Sequence, residues 1–248
     1  MTLGLLGTKK GMTQVFDEEG IVFPVTVVEL GPCTVVQKKT VKTDGYNAIQ
    51  FGFASQKTHR VTKALKGHFE KKGLKNYSKT LKESRVSDPE QFEVGQQITV
   101  QAFRAGDVVD VQGVTKGRGF QGVIKKEGKH GGPDGHGSGF HRRPGSIGMR
   151  TWPGRVMKNM GMPGRMGNDQ VLMRHLTVVG IKPEENLLLL LGAVPGTRNG
   201  LIVVFNRAKD FETRYKKSEQ SEREGEAPTA LPLEGATQAP ITETPKVE

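Results

Sequence analysis

The apolar positions of the first 56 residues form short runs separated by turn residues, a pattern that predicts β-strands. The run over 21–30 is rich in Val and Phe and alternates poorly, so we expect it to be buried on both faces. The sequence Asp-Glu-Glu-Gly at 17–20 and the pair Asp44-Gly45 are typical of turns. Strands are therefore predicted over 13–16, 21–30, 33–39 and 48–54.

The pattern changes after residue 56. Val61, Leu65 and Phe69 recur at helical spacing with Lys between them, which predicts a short amphipathic helix over 61–72 with a basic face. Beyond it, Val alternates with Asp and Gln over 107–114, as in a half-exposed strand, whereas the consecutive leucines at 187–191 indicate a buried strand. Strands are predicted over 97–103, 107–114, 170–179, 187–191 and 201–205.

Residues 115–168 show neither periodicity. They contain 15 Gly, 11 Lys or Arg and only two acidic residues, Glu127 and Asp134, so their net charge is +9. Their few large apolar residues cannot offset the conformational entropy lost on ordering so long a segment. Such a loop is either disordered or functional, and a cationic loop indicates a polyanionic partner. Its internal position disfavours a simple disordered tail, because the chain leaves the β-domain here and must return.

These elements predict a mainly β chain built around one β-barrel. The barrel body is expected to comprise 1–114 and 170–212. A helical, basic insertion at 57–90 and a long irregular loop at 115–169 interrupt it. Residues 213–248 are expected to form an acidic, disordered tail.

Charge is distributed unevenly along the 248 residues, whose net charge is +11. Residues 218–248 contain seven Glu and two basic residues, a net charge of −5, which leaves +16 for the rest. The single cysteine, Cys33, excludes a disulfide within the chain and a zinc site built from several cysteines. No apolar run approaches the roughly 18 residues of a membrane span, and the N-terminus lacks the charge order of a secretory signal. We therefore expect a soluble cytoplasmic protein.

Two local patterns could carry other chemistry. Gly117, Gly119 and Gly122 match the dinucleotide-binding pattern G-x-G-x-x-G, but Gly128 would end the required helix early and no acidic residue follows at about 20 positions. His130, His136 and His141, with Asp134 among them, could bind zinc, but their spacing fits no usual pattern. Contact with RNA is the favoured role of these histidines. No spacing typical of a catalytic site is present, so neither an enzymatic activity, a cofactor nor a small-molecule substrate is predicted.

The basic residues of the loop are best explained together as contacts to RNA phosphates, with glycines that let the backbone approach closely. Trp152, the one tryptophan, could stack on a base, or it could pack against Met149, Met157 or Met160; the sequence leaves both open. A DNA-architectural protein and an enzyme with a phosphate cradle also stay open. The candidate RNA-binding cations are Lys116, Arg118, Lys125, Lys126, Lys129, Arg142, Arg143, Arg150, Arg155, Lys158 and Arg165.

Several motifs, in order across about residues 1–207, resemble those of the large-subunit ribosomal protein L-three family in its bacterial form. The opening segment 6–16 (LGTKKGMTQVF) resembles the start of that family, and 142–148 (RRPGSIG) followed by 153–156 (PGRV) resembles its loop motif. The motifs at 166–168 (MGN), 175–179 (HLTVV) and 192–201 (GAVPGTRNGL) extend the match.

The resemblance implies a split β-barrel of the translation-protein type and a loop that extends through rRNA toward the peptidyl-transferase centre. It implies 23S rRNA near its 3′ end and neighbouring large-subunit proteins as partners, and a role in early assembly without catalysis. The loop tip would lie at 146–152 and would include Ser146. Many bacterial members have a methylated glutamine where this chain has Met149, so that modification is expected to be absent. At 159–163 (NMGMP) a basic run of the family is replaced, which implies weaker phosphate contact there.

Overall fold

The computed structural model of the chain describes residues 3–207, and the predicted acidic tail at 213–248 lies outside them. The prediction of a mainly β chain with few helices is confirmed. The strands are β1 (Gly4–Phe16), β2 (Val22–Leu30), β3 (Cys33–Lys39), β4 (Ala48–Ser55), β5 (Ser78–Arg85), β6 (Gln97–Ile98), β7 (Val108–Val114), β8 (Gly119–Gln121), β9 (Gly164–Met166), β10 (Gln170–Lys182), β11 (Leu187–Leu191) and β12 (Leu201–Asn206). The α-helices are α1 (Val41–Asp44), α2 (Lys63–Glu70) and α3 (Val123–Glu127).

Within residues 3–207, six strands form a closed barrel in the order β1-β12-β7-β10-β11-β2, and β2 also pairs with β1. Every pair in the barrel is antiparallel. Closure leaves these strands without an unpaired edge, which would otherwise invite pairing with another chain. The alternating pattern of 107–114 is confirmed in β7, since Val109 and Val111 are fully buried whereas Asp110 and Gln112 are partly exposed.

A second sheet, in the order β5-β4-β3-β6, packs against the barrel and shares its hydrophobic core. Leu5 of the barrel and Phe51 of the second sheet both belong to this core and are at most 1% exposed. Two buried hydrogen bonds also join the layers: Gly4 N donates to Ser84 Oγ at 2.8 Å, and Cys33 Sγ donates to the Leu6 carbonyl at 3.3 Å. A buried polar group that loses water needs a hydrogen-bond partner, so these pairs favour this arrangement of the two sheets over others.

Some predicted elements differ from those observed. Strand β5 was not predicted, because its sequence SKTLKESR is polar; it forms because it pairs with β4 and leaves most of its side chains accessible. The expected strand over 97–103 is only the two-residue β6, followed by a 3₁₀ turn at Val100–Ala102. The first residues of β2 are not buried on both faces, because Val22 is 48% exposed in a hairpin that extends past the rest of the barrel.

The amphipathic helix predicted over 61–72 is observed as α2. It begins after Thr62, whose hydroxyl accepts a hydrogen bond from Leu65 N at 3.5 Å. It buries Phe69, whose ring packs edge-to-face against Tyr77 with the ring centroids 5.6 Å apart. Among residues 3–207, no helix is both long enough and apolar enough to cross a lipid bilayer.

Candidate nucleic-acid interface

The segment 115–169, called the arm from here on, leaves the barrel from β7 and returns to it in β10. These two strands are neighbours in the sheet, with Val114 opposite Gln170. Thr115 N donates to the Asp169 carbonyl at 2.9 Å, and Asp169 N donates to Thr115 Oγ1 at 3.1 Å. The barrel therefore fixes both ends of the arm at one place.

Beyond this junction, short elements continue the base of the arm. Strands β8 and β9 pair antiparallel, with Phe120 opposite Arg165. Helix α3 follows β8 and ends at Gly128, which has a φ of 68°. A dinucleotide-binding site places the pyrophosphate at the N-terminus of a longer helix than these five residues form. The structure therefore gives no support to a dinucleotide-binding role for Gly117, Gly119 and Gly122.

Farther out, the chain of the arm crosses itself at Gly132, in a close contact with the backbone of residues 140–141 that only glycine permits. Gly132 N donates to the His141 carbonyl at 3.0 Å, and a Cβ atom at Gly132 would lie 2.0 Å from the Phe140 carbonyl oxygen. Lys129 Nζ donates to the Gly161 carbonyl at 2.8 Å, and this bond ties the returning part of the arm to the region of the crossing. The arm is thus shaped by backbone contacts rather than by side-chain packing.

The arm has no hydrophobic core of its own. Of residues 115–168, all of which the structure describes, Val123 alone is buried. Large apolar side chains lie in solvent instead: Trp152 is 85% exposed and Met149 is 74% exposed. The alternative that Trp152 packs into a small core of methionines is therefore wrong, and its indole ring is available for stacking.

The cations of the arm have few acidic neighbours. Among residues 3–207, Lys126 is the one Lys or Arg of the arm with a carboxylate oxygen within 4 Å, at 3.3 Å from Glu127. Lys126 and Lys129 are half-buried. The other predicted site residues are exposed: Lys116, Arg118, Lys125, His130, His136, His141, Arg142, Arg143, Ser146, Arg150, Trp152, Arg155, Lys158 and Arg165.

The three histidines do not form a metal site in the part of the chain that the structure describes, where no group of three or more His, Cys, Asp or Glu residues comes together. His141 Nδ1 lies 3.6 Å from Asp134 Oδ1, and this pair is solvent-exposed. His136 adopts a φ of 56° in a turn of the arm, and His130 precedes the glycine crossing. All three histidines are exposed, and His141 directly precedes Arg142 and Arg143, a position that suits contact with an anion.

A groove of about 630 Å³ lies where the arm base meets the barrel. Its basic side chains are Lys9, Lys116, Arg118, Lys126 and Arg165. Lys9, on β1, donates from Nζ to the Val194 carbonyl at 2.7 Å. Partial burial lowers the pKa of the Lys9 ammonium, and the nearby positive charge of Lys116 lowers that pKa further. Sequence reasoning missed Lys9, because only barrel closure brings β1 beside the arm base.

With this geometry established, comparison with known proteins identifies the class of molecule. The family model described as Ribosomal protein L3 matches residues 87–186, a range that includes the whole arm.

Whole-chain relatives extend the match. Three curated proteins named "Large ribosomal subunit protein uL3" align with most of the chain. The protein of Desulfotalea psychrophila is 54% identical over 207 residues, which cover 83% of this chain and 99% of the relative. That of Alkaliphilus metalliredigens is 50% identical over 206 residues (83% and 98%), and that of Carboxydothermus hydrogenoformans is 50% identical over 209 residues (84% and 99%). The chain belongs to the uL3 family of large-subunit ribosomal proteins, and the resemblance seen in its motifs is confirmed.

Proposed function

We propose that the protein is a structural constituent of the large ribosomal subunit that binds 23S rRNA near its 3′ end and does not catalyse a reaction. Membership of the uL3 family supports the ribosomal role. The observation that carries the RNA-binding mechanism is the arm: among the described residues, ten of its eleven Lys and Arg side chains have no carboxylate within 4 Å. Charge left uncompensated in this way is stabilised by a polyanion.

In this proposal the barrel body, 1–114 with 170–212, and the basic insertion at 57–90 form a scaffold that folds without RNA. It corresponds to the split β-barrel of the family, and the arm corresponds to the family's extended loop. Because the arm lacks a core, its order depends on RNA phosphates that neutralise its cations and release counterions. Arg142 and Arg143 are suited to this role, since a guanidinium can bind a phosphate through two parallel hydrogen bonds.

The exposed tip of the arm, 146–152, would reach toward the peptidyl-transferase centre and support its RNA structure. Ser146 Oγ donates to the Gly148 carbonyl at 3.1 Å and so shapes the tip, while Trp152 offers a flat apolar surface for a base. Binding of this kind early in assembly would hold rRNA helices in position. The proposed place of action is the cytoplasmic ribosome, with neighbouring large-subunit proteins as further partners.

Sedimentation tests this function directly. Tagged protein expressed in a bacterial cell should co-sediment with large ribosomal particles and leave them only after RNase treatment. In vitro, a fragment from the 3′ region of 23S rRNA should compete for the protein more strongly than duplex DNA at the same salt concentration. Equal competition by the two nucleic acids would contradict a specific rRNA role and would favour a general nucleic-acid chaperone.

A further inference from the structure

We propose that the groove between the barrel and the arm base is a second, preformed binding site for a backbone phosphate, held by Lys9 of the barrel together with Lys116 of the arm. This inference rests on the proposed RNA-binding function and adds a residue of the barrel to it. The shared ligand chemistry is a phosphate oxyanion, and we assign it to RNA rather than to a free nucleotide.

Hydrogen-bonded backbone forms the walls of the groove. Lys9 N donates to the Gly200 carbonyl at 3.0 Å, and Asn199 N donates to the Lys9 carbonyl, so the turn at 199–200 holds both backbone polar groups of Lys9. Across the groove, Gly167 lies against the backbone of the arm's first residues, where a Cβ atom would be 2.1 Å from the Lys116 carbonyl oxygen. Both lysines therefore start from positions that do not depend on the order of the distal arm.

The Lys9 ammonium has hydrogen-bond donors left for a ligand. An ammonium group has three N–H donors, and the Val194 carbonyl accepts one of them at 2.7 Å. That single bond holds the side chain in the groove. The two remaining donors are available to a ligand in the groove, which Lys116 also lines.

The side chains that line the groove carry a net positive charge. Five cations line it, with Glu127 and Asp169 as the acidic residues, and Glu127 is already paired with Lys126 at 3.3 Å. The pKa of Lys9 is lowered first by burial and then by the positive charge of Lys116, in keeping with two like charges near each other in the groove. An anion bound between them would convert this repulsion into attraction, whereas an uncharged or cationic ligand would not.

The neighbouring residue Lys10, on the same strand, has its positive charge neutralised by an ion pair within the protein. Lys10 Nζ lies 2.8 Å from Glu29 Oε2, and Thr8 Oγ1 donates to the same carboxylate oxygen at 2.8 Å. Strand β1 has a β-bulge between Lys9 and Gly11, and Lys10, held by Glu29 of β2, does not line the groove. Lys9 and Lys10 thus form a matched pair that differs in location and partner rather than in chemistry.

RNA backbone is the favoured source of the phosphate because the groove is open and adjoins the arm. Two of its lining residues belong to the base of the arm: Arg118 directly precedes β8, and Arg165 lies in β9. A chain of phosphates could therefore pass from the groove onto the arm without a break in positive charge. A free nucleotide would use the groove alone and would gain nothing from the cations of the arm beyond its base.

The test compares Lys9→Gln with Lys10→Gln in full-length protein. Binding to the 23S rRNA 3′ fragment is measured by fluorescence anisotropy over a series of KCl concentrations, and thermal unfolding checks that both variants fold. One lost phosphate contact should lower the slope of log K against log salt by about 0.7–0.9, a loss of roughly five- to eightfold in affinity at about 0.1 M salt, for Lys9→Gln only. Lys9→Arg, which keeps the charge, should retain the slope of the unaltered protein.

A measurement on unaltered protein keeps the proposal testable if Lys9→Gln folds poorly. Amine acylation followed by mass spectrometry should show Lys9 labelled in free protein and protected in the RNA complex, by a larger factor than Lys10. Labelling of Lys9 that is unchanged by RNA would overturn the proposal.

The outcomes also separate this inference from the proposed function. If Lys9→Gln behaves like Lys10→Gln while loss of Arg142 and Arg143 weakens RNA binding, the groove proposal fails and the function stands. If no variant changes RNA binding and the fragment is not preferred over DNA, the function itself fails. Saturable binding of pyrophosphate that Lys9→Gln abolishes would overturn the assignment to RNA.

Discussion

Replacing Arg142 and Arg143 together with Gln should sharply reduce the salt dependence of RNA binding. Both side chains are exposed, and within residues 3–207 neither has a carboxylate oxygen within 4 Å, so their charge is available to phosphate. Each phosphate contact contributes about 0.7–0.9 to the slope of log K against log salt, so two contacts contribute about 1.4–1.8. At about 0.1 M salt, this corresponds to a loss of roughly 25- to 60-fold in affinity. Gln keeps much of the length and polarity of Arg, and the arm has no core there to disturb.

The assay is fluorescence anisotropy with the 23S rRNA 3′ fragment at KCl concentrations from about 50 to about 400 mM, a range over which counterion release dominates the change in affinity. A matched control is the double variant Arg104→Gln, Lys182→Gln. Both control residues are exposed and lie toward the ends of β7 and β10 that are remote from the arm. If the two double variants lose the same slope, binding depends on overall charge, and the arm has no special role. If the Arg142 and Arg143 variant keeps the slope of the unaltered protein, the phosphate contacts do not exist.

Three further predictions concern the body and the arm tip. Phe51→Ala should lower the free energy of unfolding by about 3–5 kcal/mol in denaturant titrations, because Phe51 is 1% exposed in the shared core. Phe16→Ala, at a residue that is 61% exposed, should change the free energy of unfolding by less than about 0.5 kcal/mol. Equal effects of the two substitutions would contradict the assignment of Phe51 to the core. Burial raises the pKa of the Cys33 thiol to about 12, so thiol reagents at about pH 8 should react with native protein far more slowly than with unfolded protein, and equal rates would show an accessible thiol. Trp152, 85% exposed and the one tryptophan, should emit as a solvated indole in free protein and be quenched by RNA in a salt-dependent way; unchanged fluorescence in a saturated complex would exclude stacking at this residue.

Apolar periodicity was sufficient to locate most of the strands, because burial on one or both faces imposes a pattern on the sequence. The strands β3, β4, β7 and β11 lie where the apolar runs predict them. Strand β5 left no such pattern, since a polar segment can become a strand through pairing alone. The closing partnership of β1 with β12 joins residues from opposite ends of the described chain, and no local pattern encodes it.

The arm was predictable for the opposite reason. An excess of glycine and cations with no periodicity is visible in composition alone, and it identified the exposed basic residues without any knowledge of their positions. What composition could not supply is the relation between residues that folding brings together. The exposure of Trp152, the glycine crossing at Gly132 and the position of Lys9 beside the arm base all depend on the path of the backbone.

In the mechanism proposed above, RNA orders the arm, whereas the barrel is stable without RNA. Hydrogen exchange followed by mass spectrometry, on free protein and on the complex with the 23S rRNA fragment, distinguishes the two regions. We expect rapid exchange over 115–168 in the free protein, slow exchange in the barrel strands of both samples, and protection of the arm once RNA is bound. An arm that is as protected as the barrel in free protein, or one that stays unprotected in the complex, would contradict this mechanism.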